Sequence, residues 1–256
     1  MTAPDLRPVD VLTVVDVADV TPTVRRVVLS GSPEAVAAAG PTVNLLVPRV
    51  GDAAPRWPQI ARDGRIVWPE GSHGVALRSY TARRQDTVAG RVEIDFVLHG
   101  DGPAATWAGA AAPGALLAVA GAGALGDRAA AELLLVGDET ALPAITRILG
   151  AAAPDTRGLA LVEVADAAEE QPLPAPAGVA VRWLHRDGTP PGESTLLVDA
   201  VAALEPPGGE VFAWVGAESA AVRAIRADLR GRWGLGRAQH HAIGYWRRGR
   251  AMAPAG

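Results

Sequence analysis

The sequence contains no cysteine and no lysine. Without thiols the chain forms no disulfide, thiolate zinc site or iron–sulfur cluster, and it has no cysteine nucleophile. All 24 basic residues are arginines, for which a genome composition rich in Arg, Ala and Gly is a simpler explanation than a functional need. The five histidines show no ligand spacing such as H-x-x-x-H, so no protein-made metal site is predicted.

Excess positive charge and long apolar runs are missing as well. The net charge of −4 argues against a nucleic-acid partner. The longest apolar segments, such as "ELLLVGDETALPAI", are interrupted by charge, so no membrane span is predicted. The N-terminus has neither the basic nor the apolar region of a secretory signal, so we expect a cytoplasmic protein. At 256 residues the chain can bury two modest cores.

The first half of the chain has the pattern of an antiparallel β domain. Short apolar runs are separated by turns rich in Pro, Gly and Asp, and long helical patterns are absent. Within the run 91–98 the even-numbered apolar residues share one face, whereas Asp95, Val97 and His99 are expected together on the other. Such short strands predict a six-stranded antiparallel barrel. The predicted strands are 11–17, 24–30, 42–48, 77–83, 91–98 and 115–121.

The second half changes to an alternation of strands and helices. The run 132–138 is almost continuously apolar, as in a parallel strand that is covered on both faces. Helical spacing follows it and recurs at 194–204 and 218–232. This alternation predicts a doubly wound parallel α/β sheet, with the domain boundary near 122–131. The further predicted strands are 158–164, 179–184, 210–216 and 239–245.

Two glycine-bearing segments bear on nucleotide binding. "GAGALG" (121–126) matches G-x-G-x-x-G, but only a short segment separates it from the next strand, so we interpret it as a linker. "VGDETALPA" ends a buried strand and starts a helix, with Thr140 as a possible N-cap and Pro143 in the first turn. Such a turn is either a phosphate site or an ordinary connection. Asp138 and Glu139 have no partner base or nucleophile, so hydrolase chemistry is not indicated.

The only two tyrosines, Tyr80 and Tyr245, both lie beside arginines. Through "RSYTARR", "DFVLHGDGPAATWA", "LLVGDETALPAI" and "GYWRRG", in this order, the chain resembles the siderophore-interacting proteins, which are flavin-dependent ferric-siderophore reductases of the ferredoxin-reductase-like group. The resemblance covers nearly the whole chain. It implies an FAD-binding Greek-key barrel at 1–126 and an NAD(P)-binding-like α/β domain at 127–256.

The resemblance also implies the residues of a flavin site. Tyr80 would lie against the flavin ring and Thr81 near its reactive N5 edge, as the two catalytic residues, while Arg78 would pair with the pyrophosphate. An aromatic face supplies stacking area, and a guanidinium binds phosphate bidentately. Ala105 stands where the family has a hydroxyl residue. The other expected FAD contacts are Ser79, Asp95, Val97, His99, Gly102, Pro103, Ala104, Thr106 and Trp107, with Tyr245 and Trp246 closing over the far side of the flavin.

A dinucleotide donor is implied by two further segments. The expected contacts are Gly137, Asp138, Glu139, Thr140, Ala141 and Pro143, with Gly216, Ala217 and Glu218 in a later turn. Arg223 and Arg226 lie on the helix after that turn and could reach a 2′-phosphate, although a solvated helix face is the simpler interpretation. The choice between NADPH and NADH therefore stays open, as does a ferredoxin-type donor.

The implied reaction passes electrons from NAD(P)H through FAD to Fe(III) held in a siderophore. Reduction loosens the chelate, because anionic oxygen ligands hold Fe(III) more tightly than Fe(II). An arginine-lined entrance would attract anionic chelates. Its expected substrate-binding members are Arg83, Arg84, Arg247 and Arg248, with Arg78 beside them. Two alternatives remain, an NAD(P)H:flavin reductase and a siderophore-binding protein without catalytic activity.

Overall fold

The computed structural model describes residues 6–100 and 102–249. The chain divides into two compact units, the first ending at Leu125 and the second beginning at Gly126. The outer ends of the two predicted domains, 1–5 and 250–256, lie outside the described residues.

The described part of the first unit contains nine strands and two helices. The strands are β1 (Leu6–Pro8), β2 (Asp10–Asp19), β3 (Val24–Ser30), β4 (Thr42–Val47), β5 (Gln59–Ala61), β6 (Ile66–Val67), β7 (Ala76–Asp86), β8 (Arg91–Val97) and β9 (Leu116–Gly123). The helices are α1 (Pro33–Ala37) and α2 (Pro103–Ala110). Six strands close into an antiparallel barrel in the order β2-β3-β8-β7-β4-β9, which confirms the predicted barrel.

The alternation read in the run 91–98 is confirmed within β8. Val92, Ile94 and Phe96 are fully buried in the barrel core. His99 is an exposed residue beyond the end of β8 at Val97, so its expected place beside Asp95 stays a prediction.

Several short elements of the first unit were missed. Strands β1, β5 and β6 form a separate three-stranded sheet, and each has only two or three residues, too few for a periodic signal. Helix α1 has a readable start, since Ser32 caps it by accepting a hydrogen bond from the Ala35 amide at 3.2 Å and Pro33 opens its first turn. Its five residues were too few to compete with the surrounding strand pattern.

The second unit is a parallel sheet with helices. Its described strands are β10 (Glu132–Asp138), β11 (Arg157–Val164), β12 (Gly178–His185), β13 (Phe212–Glu218) and β14 (His240–Trp246). Its helices are α3 (Leu142–Ala151), α4 (Leu196–Ala202) and α5 (Ser219–Gly231). The strand order is β12-β11-β10-β13-β14, and every neighbouring pair is parallel. The predicted doubly wound sheet is confirmed, with β13 starting two residues later than expected.

Apolar spacing explains these elements. After Glu132 every residue of β10 is buried, as its central place requires. Helix α5 buries Val222, Ile225 and Leu229 on one face. Of the described helices, none combines the length and the apolar character that crossing a membrane would need.

The segment "GAGALG" does not open a helix. Gly121 and Gly123 belong to β9, and residues 124–131 have no regular secondary structure before β10 begins. The segment therefore lacks the strand-turn-helix context of a dinucleotide fingerprint.

Candidate functional site

The R-x-Y-T motif lies in β7, where successive side chains face opposite sides of the strand. Tyr80 pairs with the buried Val43 and packs against the barrel core, with its ring centroid 4.6 Å from that of Phe96. Burial raises the pKa of Tyr80, so the phenol stays neutral. Thr81 faces the other side and is 5% exposed. The motif therefore presents one partly buried aromatic ring, and the Thr81 side chain does not lie beside it.

Arg78 and Ser79 precede this pair. The half-buried Arg78 uses Nη1 to donate to the Leu77 carbonyl at 2.8 Å, which occupies one of its five donors. Ser79 is exposed and donates from Oγ to Oδ1 of Asn44 at 2.7 Å. Arg78 thus retains donors for an anion, whereas the Ser79 hydroxyl already has a partner.

Asp95 binds two arginines on the barrel. Arg26 approaches its carboxylate bidentately, with N···O distances of 2.7 and 2.9 Å, and Arg83 Nη1 lies 3.5 Å from Oδ2. The hydrogen bond to Asp95 raises the pKa of Arg26, while burial lowers the pKa of Arg83. Asp95 therefore orients two guanidinium groups and does not present a free carboxylate to a ligand. Val97, the last residue of β8, is half-buried.

The segment expected to bind pyrophosphate forms the start of α2. Gly102 is the N-cap residue and Pro103 opens the helix, and no side chain caps its N-terminus. Backbone N–H groups of the first turn, including that of Ala104, lack a helical partner and favour an anion. Ala105 is buried, so its missing hydroxyl would face the protein interior, whereas Thr106 is exposed.

Trp107 has a different role from the expected one. It is 4% exposed and its ring centroid lies 5.7 Å from that of Phe96. The side chain therefore anchors α2 in the barrel core and is not available as a direct flavin contact.

A cavity of about 280 Å³ lies beside the N-terminus of α2. It adds Arg49, which the sequence interpretation missed because the residue simply follows β4 in "LLVPRV". The Arg49 side chain passes close to Gly74, where a Cβ would lie 3.2 Å from its Cδ and Nε. A guanidinium and an uncapped helix end at one cavity fit a pyrophosphate group. The lining residues are Val47, Pro48, Arg49, Val50, Gly74, Pro103 and Thr106.

In the second unit, Asp138 organises the turn after β10. Its Oδ1 accepts hydrogen bonds from the amide and the hydroxyl of Thr140, and its Oδ2 accepts one from Trp246 Nε1 at 2.7 Å. Burial, and then the neighbouring Glu139, raise the pKa of Asp138 to about 6. Ala141 is fully buried behind this turn. Trp246 donates its indole N–H to Asp138, and its expected place over the flavin stays a prediction.

Replacing Asp138 with Asn tests this raised pKa. The pKa of this carboxyl rises from 3.8 to about 6 on folding, so the folded state favours the protonated form. Its contribution to stability is fully present below pH 3.8 and is lost as the pH rises through about 6. The quantity to compare is the unfolding free energy of Asp138→Asn minus that of wild type, measured by urea denaturation. We expect this difference to rise by about 2 to 3 kcal/mol from pH 4 to pH 8. The lost bond to Trp246 adds only a pH-independent offset.

The matched control is Asp166→Asn. Asp166 also caps a short helical turn, accepting a bond from the Ala168 amide at 2.8 Å, but it is exposed. Its difference from wild type should change little over the same pH range. A pH-independent difference for Asp138→Asn would contradict the assignment.

A buried ionic network joins the ends of three parallel strands. Arg186 donates to both carboxylate oxygens of Glu139, at 2.9 Å from Nη1 to Oε2, and its Nη1 lies 3.5 Å from Oε1 of Glu163. Ser194 Oγ donates to Oε2 of Glu163 at 3.0 Å. Burial alone would lower the pKa of Arg186, but its bonds to Glu139 raise it overall. Burial raises the pKa of Glu163. The Glu139 carboxylate is therefore engaged in this network, and the sequence interpretation missed the other three members, Arg186, Glu163 and Ser194.

Glu218 caps the N-terminus of α5. Its Oε2 accepts from the amides of Ala220 and Ala221, the latter at 3.3 Å, and its Oε1 accepts from the Arg248 amide at 3.3 Å. The anion preference of this helix end is thus already satisfied by a carboxylate. Gly216, expected in the same turn, has no room for a side chain, because a Cβ would lie 2.6 Å from Trp214.

A cavity of about 340 Å³ opens at this edge of the sheet. It lies where the strand order reverses between β10 and β13, the position at which open α/β sheets bind ligands. Its polar lining combines residues from the ends of four strands and from the segment after β12. These are Asp138, Glu163, Arg186, Glu193, Ser194, Thr195, Glu218 and Trp246.

Three further residues that were expected at the cofactor sites have other surroundings or are exposed. Tyr245 packs edge-on against Trp214, with ring centroids 6.0 Å apart. Arg226 donates to the Ala242 carbonyl, which gives it a structural role, and Arg223 is exposed.

Three of the four expected substrate arginines lie within 4 Å of a carboxylate. Arg83 is bound by Asp95, as described above, and Arg248 by Glu193 with Nη1 2.7 Å from Oε1. Arg84 is exposed, and its Nη1 lies 3.9 Å from Oε1 of Glu93. Arg247 is also exposed.

Comparison with known proteins agrees with both units. Residues 13–125 match the family model described as the siderophore-interacting FAD-binding domain, and residues 130–249 match the model described as siderophore-interacting protein. The chain belongs to the siderophore-interacting proteins. The first match ends at Leu125, which is also the last residue of the first compact unit.

Individual siderophore-interacting relatives are similar over most of the chain. The ferric vibriobactin reductase ViuB of Vibrio cholerae is 33% identical over 195 residues, which are 74% of this chain and 70% of that protein. A siderophore utilization protein from T. fusca is 36% identical, with a TM-score of 0.82 and 97% of each chain covered. The siderophore-interacting protein SipS from Aeromonas hydrophila is 32% identical, with a TM-score of 0.80, covering 96% of this chain and 94% of that one.

Proposed function

We propose that this protein is an FAD-dependent ferric-siderophore reductase that draws electrons from NADPH or NADH. The observation that carries the proposal is the arginine-lined cavity beside the uncapped start of α2, within a unit that matches an FAD-binding domain. Similarity to ViuB, which is named a ferric vibriobactin reductase, supports a ferric siderophore as the substrate.

The residues of the first unit suit the parts of FAD. The first-turn amides of α2, with Arg49 and Arg78, would bind the pyrophosphate through charge-assisted hydrogen bonds. The partly exposed ring of Tyr80 would pack against the flavin. Asp95 would act indirectly, by fixing the direction of Arg83. When bound, FAD supplies the conversion of a two-electron donor into the single-electron transfers that Fe(III) requires.

Ferric iron enters as substrate, already bound by the siderophore. The protein therefore has only to bind the chelate, and exposed arginines suit an anionic one. Arg247 is exposed and would attract it directly, whereas Arg83, Arg84 and Arg248 are partly neutralised by their carboxylate partners. Release of Fe(II) in the cytoplasm belongs to the proposal, and a ferredoxin-type donor is its alternative to NAD(P)H.

The flavin site is tested by Arg49→Ala. Removing one guanidinium from the pyrophosphate should raise the Kd for FAD about tenfold, since a charge-assisted bond contributes on the order of 1.5 kcal/mol. The measurement is a fluorescence titration of FAD into apoprotein. Arg65→Ala is the control, because the Arg65 side chain is 73% exposed, pairs with Asp63 and is not among the cavity-lining residues; its Kd should match wild type. Equal Kd values for Arg49→Ala and wild type would remove Arg49 from the site.

The activity is tested with purified protein incubated anaerobically with a ferric siderophore and either dinucleotide, following Fe(II) with a ferrous chelator. We expect a yellow protein and Fe(II) formation. A protein that releases its flavin during turnover would instead be a flavin reductase. A colourless protein that takes up no FAD would overturn the proposal in favour of a siderophore-binding protein.

A further inference from the structure

The sheet-edge cavity of the second unit contains more negative than positive charge. Four carboxylates line it, from Asp138, Glu163, Glu193 and Glu218, against one guanidinium, from Arg186. Arg248 forms an ion pair with Glu193 and offsets the charge of that carboxylate alone. Any ligand here therefore meets an acidic surface at the position where a parallel α/β sheet binds nucleotides.

The two usual devices for binding a phosphate are already occupied within this cavity. Arg186 is 6% exposed, and its terminal nitrogens bind Glu139 and Glu163. The N-terminus of α5 is capped by Glu218, which accepts from its first free amides. Of the two arginines on α5 that the sequence offered for a 2′-phosphate, Arg226 is bound to a backbone carbonyl, and Arg223 is exposed and not among the cavity-lining residues. An added phosphate would face carboxylates without a free cation among the cavity-lining residues.

Glu163 occupies the position that suits a ribose diol. It is the next-to-last residue of β11, the strand that follows β10 and α3 and pairs beside β10. In a βαβ nucleotide-binding unit, a carboxylate at the end of the second strand accepts hydrogen bonds from the ribose hydroxyls of NAD, whereas an arginine there accommodates a 2′-phosphate. Ser194 binds one oxygen of the Glu163 carboxylate and Arg186 lies at the other, so its orientation is fixed. Each oxygen keeps a second lone pair for a ligand in the cavity that Glu163 lines.

We infer that the donor site selects NADH over NADPH, with Glu163 as the residue that accepts the ribose 2′-hydroxyl and repels a 2′-phosphate. The inference rests on the proposed dinucleotide-dependent function and narrows it to one donor. Glu163 acts on the adenosine half of the dinucleotide and takes no part in electron transfer.

The test is equilibrium binding of NAD⁺ and NADP⁺ to the FAD-loaded protein by titration calorimetry, with the rate of flavin bleaching by NADH and NADPH as a second measurement. We expect NAD⁺ to bind at least tenfold more tightly than NADP⁺ in the wild type. Glu163→Gln should reduce that ratio several-fold, because the amide no longer repels phosphate. Glu170→Gln is the matched control, since Glu170 is exposed and pairs with His185 outside the cavity lining; its ratio should equal wild type.

The outcomes separate this inference from the proposed function. Tighter binding of NADP⁺ than NAD⁺ by wild type would overturn the inference and leave the reductase proposal intact. A Glu163→Gln ratio equal to wild type would remove Glu163 as the selecting residue. If neither dinucleotide binds a protein that retains FAD, both the inference and the NAD(P)H half of the proposal fail. Because the wild-type ratio needs no substitution, a variant that does not fold leaves the test valid.

Discussion

Replacing Arg186 with Met is expected to lower the free energy of unfolding by about 3 to 5 kcal/mol, measured by urea denaturation at pH 7.5. Arg186 is buried and supplies the cation for both Glu139 and Glu163. Methionine fills part of the space but leaves two carboxylates desolvated and unpaired. Both are buried at strand ends, so water recovers only part of this cost.

Two further variants separate charge from packing. Arg248→Met removes an ion pair of similar length, 2.7 Å from Nη1 to Glu193 Oε1, whose side chains are 58% and 50% exposed. Solvent screens such a pair, so its loss should cost less than about 1 kcal/mol. Adding Glu139→Gln and Glu163→Gln to Arg186→Met should restore much of the lost stability, because no unpaired charge remains. A single Arg186→Met variant as stable as wild type would show that the network contributes nothing to the fold.

Local signals in the sequence were sufficient for most of the fold. The continuous apolar run of β10 and the alternation in β8 are properties of a few adjacent residues, and both predicted strands are confirmed. Helix α2 is different, because Gly102 and Pro103 suggest a turn and no side chain marks the N-cap. The sequence motif therefore indicated a phosphate-binding segment but did not indicate that this segment is helical.

The candidate site was only partly predictable, because several residues that contact each other there are far apart in the sequence. Asp138 and Thr140 are neighbours and could be read together from one segment. Arg186 is 47 residues from Glu139 and 23 from Glu163, and no local pattern connects them. Their contact depends on which parallel strands become neighbours. The indole of Trp246 reaches Asp138 across 108 residues for the same reason, and the family resemblance, which implied a flavin contact for Trp246, did not indicate this bond.

Gly158→Ala is expected to destabilise the protein by more than about 4 kcal/mol, because the new methyl group would collide with the central strand of the sheet. Gly158 has φ +142, and a Cβ built there lies 1.9 Å from the Leu133 carbonyl oxygen and 2.8 Å from its carbon. The obstacle is backbone that cannot rotate away, since Leu133 pairs with Gly158 on β11 and with Phe212 on β13. L-residues also rarely adopt this φ, which adds strain to the overlap.

The comparison for Gly158 is Gly231→Ala at the end of α5, where an added Cβ meets nothing within 4 Å. Alanine there should leave stability unchanged or raise it by about 0.5 kcal/mol, because glycine costs more backbone entropy in a helix. Both variants are made side by side, and their soluble yields and thermal unfolding are compared. The soluble yield gives a result even if Gly158→Ala accumulates only as unfolded protein. An unfolding free energy within 1 kcal/mol of wild type for Gly158→Ala would mean that β10 and β11 do not approach each other as closely as this register requires.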